Sequence, residues 1–142
     1  MSALMQDPLA AASVEIVRMH DFFGAWFRGD LAAAAFEPDC LSRLAPGFEN
    51  VQPSGRVLTL ADLMEPIRAA RGTNPAFRIE IREPRLLGAY PEAGLIHASY
   101  VEAQFGARNT HPPDNLRRST VLFAAEGDRL IWRHIHETAM PA

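Results

Sequence analysis

Lysine is absent from this 142-residue chain, whose 14 basic residues are all arginine. That excludes a Schiff-base lysine as the centre of any chemistry. Cysteine occurs once, as Cys40 in Pro-Asp-Cys-Leu, so no internal disulfide forms. With no second Cys or His at metal-ligand spacing, an inert buried thiol is expected there. No stretch approaches the ~20 apolar residues of a membrane span, and residues 1–12 lack the basic and apolar regions of a signal peptide. A cytoplasmic protein without a membrane partner is therefore expected. The formal charge of -3 and pI near 5.9 give no general attraction to nucleic acid, and no nucleic-acid partner is expected. Glycine-rich phosphate loops, Gly-x-Ser-x-Gly elbows and His-Glu-x-x-His motifs are missing too, and no cofactor is expected.

What is present is a change of period along the chain. From Ser13 to Arg28 apolar residues recur at helical spacing (Ile16, Met19 or His20, Phe23, Trp26 or Phe27), with Ser13 as the expected N-cap and Gly29 as the stop. Leu31 to Phe36 reads as a short second helix, halted by Glu37-Pro38-Asp39. Phe48 to Pro53 reads as a strand, turned at Pro53-Ser54-Gly55-Arg56 so that Val57-Leu58 pairs back. Thr59 then caps a helix over Leu60–Arg71, expected to be kinked or broken at Pro66 and closed by Gly72. From Phe77 the period is two: Phe77 to Arg82 before Pro84, Leu95 to Phe105, Arg118 to Ala124, and Arg129 to Thr138 are strands. Residues 106–116 form a long loop. Helices followed by an antiparallel meander define an α+β fold, with residues 1–12 as a flexible N-terminal segment and 13–142 as one domain.

The hairpin at Glu126-Gly127-Asp128 is expected to place Phe123 opposite Ile131, Val121 opposite Arg133, Arg117 opposite Glu137, Leu122 opposite Trp132 and Arg118 opposite His136. This register puts odd positions (Val101, Ala103, Phe105, Val121, Phe123, Ile131, Ile135) under the helices, with His97, Ser99, Arg133 and Glu137 as polar exceptions. The even face then gathers Tyr100, Glu102, Gln104, Arg118, Trp132, His134 and His136. Such a set reads either as a polar network across a dimer interface or as an active cluster in which Glu102 orients a histidine acting as general acid or base. His134 and His136, about 6.6 Å apart on one strand face, lack a third ligand at a recognised spacing, and no metal is expected. His20 reads as either a surface or a cavity-lining residue.

Three stretches resemble the nuclear transport factor 2-like superfamily: the long first helix ending in Arg28-Gly29-Asp30, the segment Glu49-Asn-Val-Gln-Pro-Ser-Gly55 before a helix, and the closing Trp132-Arg-His-Ile-His-Glu-Thr138. The last looks most like small SnoaL-like bacterial proteins and the association domain of calcium/calmodulin-dependent kinase. The resemblance implies a cone-shaped curved antiparallel sheet closed on one face by about three N-terminal helices, with a ligand cavity between them and a homodimer paired through the sheet. It departs from ketosteroid isomerases at Gln52, which stands where their catalytic aspartate lies. It departs from the kinase association domain at Glu137, which stands where that domain has a pocket arginine. The expectation is a stand-alone SnoaL-like domain binding a small, largely apolar ligand, with Gln52, His97, Arg133 and Glu137 at the pocket. The alternatives are a lyase or isomerase using His134, His136 and Glu102, and a non-catalytic assembly module.

Overall fold

The computed structural model describes residues 2–141. Helix α1 (Ala3–Gln6) is one turn, and α2 (Pro8–Arg28) is the dominant helix. The Asp7 carboxylate accepts a hydrogen bond from the Ala10 N–H, and Pro8 follows in the first turn, a strong start signal. Ser13 is therefore not the cap; its hydroxyl donates back to the Leu9 carbonyl within the helix. The segment expected to be flexible up to residue 12 is helical, with Met5 and Ala12 buried. Met1 and Ala142, the outer ends of the two expected segments, lie outside the described residues. Gly29 ends α2 at φ 88°, where a side chain would be strained and would also crowd the Gly72 backbone at 3.1 Å.

A 3₁₀ turn (Ala33–Ala35), helix α3 (Phe36–Asp39) and a second 3₁₀ turn (Leu41–Arg43) lead into β1 (Leu44–Val51). Glu37 and Pro38, expected as a stop, lie inside α3, where Pro38 is tolerated in a first turn. Strand β2 (Val57–Thr59) pairs antiparallel with β1. Helix α4 (Leu60–Ala69) then opens with a capping box between Thr59 and Asp62, and it runs through Pro66. Four long strands follow: β3 (Arg78–Tyr90), β4 (Leu95–Phe105), β5 (Asn115–Glu126) and β6 (Arg129–Ala139). Pro84 does not end β3, because a bulge between Arg82 and Arg85, with Glu83 at φ 52°, absorbs it on an edge strand.

The six strands lie in the order β2-β1-β6-β5-β4-β3. All neighbours are antiparallel except β1 and β6, which run parallel. Helix α2 packs across one face, and its Trp26 indole donates to the Ile67 carbonyl of α4 at 2.7 Å, fixing the two helices to one another. The core between α2 and the sheet contains Ile16, Met19, Phe22, Trp26, Ile96, Ala98, Tyr100, Val121, Phe123 and Trp132.

The expected turn at Glu126-Gly127-Asp128 closes over two residues, Gly127 and Asp128, because Glu126 pairs with Arg129 in the ladder, and the register differs from the expected one. Phe123 pairs with Trp132 and Leu122 with His134, leaving Arg133 as an extra residue in a bulge. That insertion turns Trp132, Ile135 and Glu137 to the helix side. On β4 the expected parity is reversed: Ile96, Ala98 and Tyr100 pair with Phe123, Val121 and Ser119, and Tyr100, Glu102 and Gln104 line the space under the helices. Phe105 lies on the opposite face, with the Arg78 guanidinium 4.6 Å above its ring.

Candidate functional site

Between α2, α4 and the sheet lies a cavity of about 590 Å³. Phe23, Phe27, Phe48, Met64, Ile67, Phe77, Ile79 and Ile135 make most of its wall, and His20, Asn50, Gln52, Tyr100, Glu102, Gln104, Arg117 and Glu137 supply its polar groups. A second cavity of about 450 Å³ adjoins it and shares Phe27, Ile67, Phe77, Gln104, Asn109 and Thr110. Asn109 and Thr110 belong to the loop after β4, which forms part of the rim.

His20 sits on the buried stripe of α2, one turn beyond Ile16. Its Nδ1 lies 2.7 Å from the Ile16 carbonyl; a carbonyl only accepts, so Nδ1 carries a proton. Its Nε2 faces Glu102 Oε1 at 3.0 Å, and both side chains are about 5% exposed. Burial opposes the charged imidazolium, yet the Glu102 carboxylate and the Ile16 carbonyl outweigh it and hold His20 above its ordinary pKa. Burial likewise opposes the Glu102 carboxylate, while His20, Arg117 and Gln104 hold its pKa below the usual value. The two therefore form an ion pair. Gln104 Nε2 donates to Glu102 Oε2 at 2.6 Å, and Asn115 Nδ2 donates on to Gln104 Oε1 at 3.3 Å. A hydrogen-bonded line thus runs from α2 through Glu102 to the rim.

Glu137 behaves in the opposite way. Burial and then the nearby Glu102 charge push its carboxyl up to about 7, against the pull of Arg117, His20 and the Asn50 amide. Among the described residues its one ion-pair contact is long, 3.4 Å from Arg117 Nη1 to Oε2. Two carboxylates in one cavity are thus separated in role: Glu102 is ionised and tied, while Glu137 exchanges a proton near neutrality. The Tyr100 hydroxyl and Ser119 Oγ are buried on neighbouring strands, and among the described residues neither makes a well-formed hydrogen bond. Burial and the two carboxylates push the Tyr100 phenol well above its usual value, so it stays protonated as a donor.

Of the four expected pocket residues, Gln52 and Glu137 line the cavity and His97 and Arg133 do not. His97 pairs with Gly88 and Leu122 on the face away from the helices, and Arg133 is the exposed bulge residue. The expected cluster is split by the sheet. Tyr100, Glu102, Gln104 and Trp132 are on the cavity side, whereas Arg118, His134 and His136 are on the other, so Glu102 cannot orient either of the latter histidines. Trp132 is no interface residue: its indole donates to Glu15 Oε2 at 2.7 Å in the core. Arg117 and Glu137, expected directly opposite, meet along a diagonal, since Glu137 pairs with Ser119. Asn50 and Arg117 were not among the expected pocket residues. The signal for them lay in the alternation of β1 and β5 once a single inward residue on each is known.

The sequence matches no protein-family model and no curated protein. Among solved structures, the chain is 32% identical to an NTF2-like protein of unknown function from Pseudomonas aeruginosa, over 92% of this chain and 99% of that one, with a TM-score of 0.80. An uncharacterised protein with a cystatin-like fold from Caulobacter vibrioides matches at 19% identity, over 93% and 89% of the two chains, with a TM-score of 0.66. The association domain of C. elegans CaMKII matches at 14% identity, over 93% and 98%, with a TM-score of 0.63. The last two likenesses carry the fold alone.

Proposed function

Since this chain belongs to the NTF2-like family, a fold that hosts many chemistries, we propose that its function resides in the helix-covered cavity, which binds a small, largely apolar molecule. The observation that carries this reading is Glu137. It is a carboxyl with a pKa of about 7 set in an otherwise mostly apolar wall. In such a position it donates to or accepts from the polar end of a bound molecule at neutral pH. The His20–Glu102 ion pair keeps a fixed charge beside it. Cavities of a few hundred Å³ with few convergent polar groups are the usual form of small-molecule sites. Any proton transfer on the bound molecule runs through Glu137; His134 and His136 face away.

Filling the cavity tests this. Met64→Trp on α4 occupies the apolar wall without touching Glu137, and it is expected to abolish the fluorescence enhancement of Nile red, a neutral apolar probe, while leaving the fold intact by circular dichroism. Equal enhancement in the variant and the unchanged protein sinks the reading.

A second part of the proposal is a homodimer through the uncovered sheet face, where Val57 is 50% exposed and Leu122, His134, His136 and Arg118 lie without a covering element. The likeness to the association domain of C. elegans CaMKII supports an assembly role for this fold.

A further inference from the structure

Arg117 brings more hydrogen-bond donors into the cavity than its neighbours there accept. Its side chain is 14% exposed and lines the cavity, and among the described residues its single side-chain hydrogen bond is the 3.4 Å contact to Glu137. A guanidinium has five N–H donors in a planar fork. Buried arginines are ordinarily matched by a carboxylate with short, often bidentate contacts. Neither nearby acid supplies that. The ionised Glu102, opposite Arg117 on β4, has its oxygens engaged by His20 at 3.0 Å and Gln104 at 2.6 Å. Burial and the Glu102 charge push the Glu137 carboxyl up to about 7, which makes it an incomplete charge partner.

We infer that the cavity takes small, mostly apolar monocarboxylic acids, whose carboxylate docks on the free donors of Arg117 while Glu137 takes up a proton to face it. This deepens, and rests on, the cavity-binding reading. A monoanion fits better than a dianion, because the free donors belong to one guanidinium and two glutamates flank it. A cationic ligand meets the Arg117 and His20 charges, and the ionised Glu102 is already paired. The body of the acid lies against Phe23, Phe27, Ile67, Phe77 and Ile79.

Proton uptake follows from the sign of the interaction. A carboxylate placed beside Glu137 adds a like charge, so the bound complex favours protonated Glu137. The charged groups facing Glu137 are Glu102 on β4, Arg117 on β5 and His20 on α2, with the Asn50 amide on β1. His20 and Glu102 hold each other charged, so the titrating partner is Glu137. Affinity is then level below pH 7 and falls by up to about tenfold per pH unit above it.

The test compares three probes of one shape, 3-phenylpropanoate, 3-phenylpropanamide and 3-phenylpropan-1-ol, by isothermal titration calorimetry at pH 6, 7 and 8 in two buffers of different ionisation enthalpy. Binding is located by the methyl resonance of Met64 and the indole resonance of Trp132. The acid is expected to bind about tenfold or more tighter than the amide and alcohol at pH 6, with proton uptake at pH 7–8. Glu137→Gln is expected to remove that uptake, and Arg117→Gln to remove the preference for the acid. Equal binding of all three probes overturns the carboxylate assignment and leaves the cavity reading standing. If none of the three moves the Met64 and Trp132 resonances, both fail. Acid binding without proton uptake overturns the role given to Glu137.

Discussion

One side chain of the cavity, Glu137, is held far from the ordinary behaviour of a carboxyl. Burial and the Glu102 charge push its carboxyl in the folded state up to about 7 from the ordinary 4.5. A raised acid pKa means the native state holds the proton more tightly than the unfolded chain. Stability from this group is therefore full below the lower value, declines as pH rises between the two, and stays low above the higher one. The decline is on the order of 3 kcal/mol. Glu137→Gln keeps the shape and removes the titration. The variant is expected to gain on the unchanged protein by that order between pH 4.5 and pH 8 in urea denaturation, and a difference that does not vary with pH contradicts this. Glu102 makes the opposite demand, since its pKa is lowered by His20 in the folded state; its contribution is present above the ordinary carboxylate range and lost on acidification. Replacing His20 by Leu leaves a buried carboxylate without its partner, with an expected cost of about 3–5 kcal/mol, read from the same denaturation curves at pH 7.

Among the elements, β6 joins the parts of the site. The Trp132 indole is tied to Glu15 of α2, and Glu15 is held in turn by Arg18 at 2.8 Å. Trp132→Phe keeps most of the apolar contact and deletes the donor to Glu15. An expected loss of about 1–3 kcal/mol follows, and an unchanged denaturation midpoint contradicts it. The bulge at Arg133 then sets which residues face the cavity. This is the step that alternation could not supply: a period of two carries a face assignment along a strand only while the ladder is regular, and one inserted residue inverts it. The strands themselves, the capping residue Thr59 and the turn at Gly127-Asp128 were legible, because each is written in local pattern or turn chemistry. Gln52 was assigned to the pocket through the family resemblance, and Glu137 as a polar exception on the odd positions of its strand. His97 and Arg133 were misplaced with the parity of their strands. His20 was left open because a histidine on a helix reveals its partner only when Glu102, 82 residues later, is brought to it.

For the whole molecule, the sheet separates two surfaces of different character. One is covered by helices and encloses the cavity; the other, with Arg118, His134 and His136, is open. If copies pair through the open face, His136→Ala combined with Arg118→Ala weakens the dimer by tenfold or more, as measured by sedimentation equilibrium, without changing Met64 or Trp132 resonances. A monomer at all concentrations, or an unchanged dissociation constant, contradicts the pairing. The cavity is insulated from that test by the sheet. The measurement that tests the central claim most directly is a carbon-13 titration of the Glu137 side-chain carboxyl by nuclear magnetic resonance. A midpoint near 7 that moves upward when 3-phenylpropanoate is added is the predicted result. A midpoint in the ordinary glutamate range, indifferent to the added acid, contradicts the account.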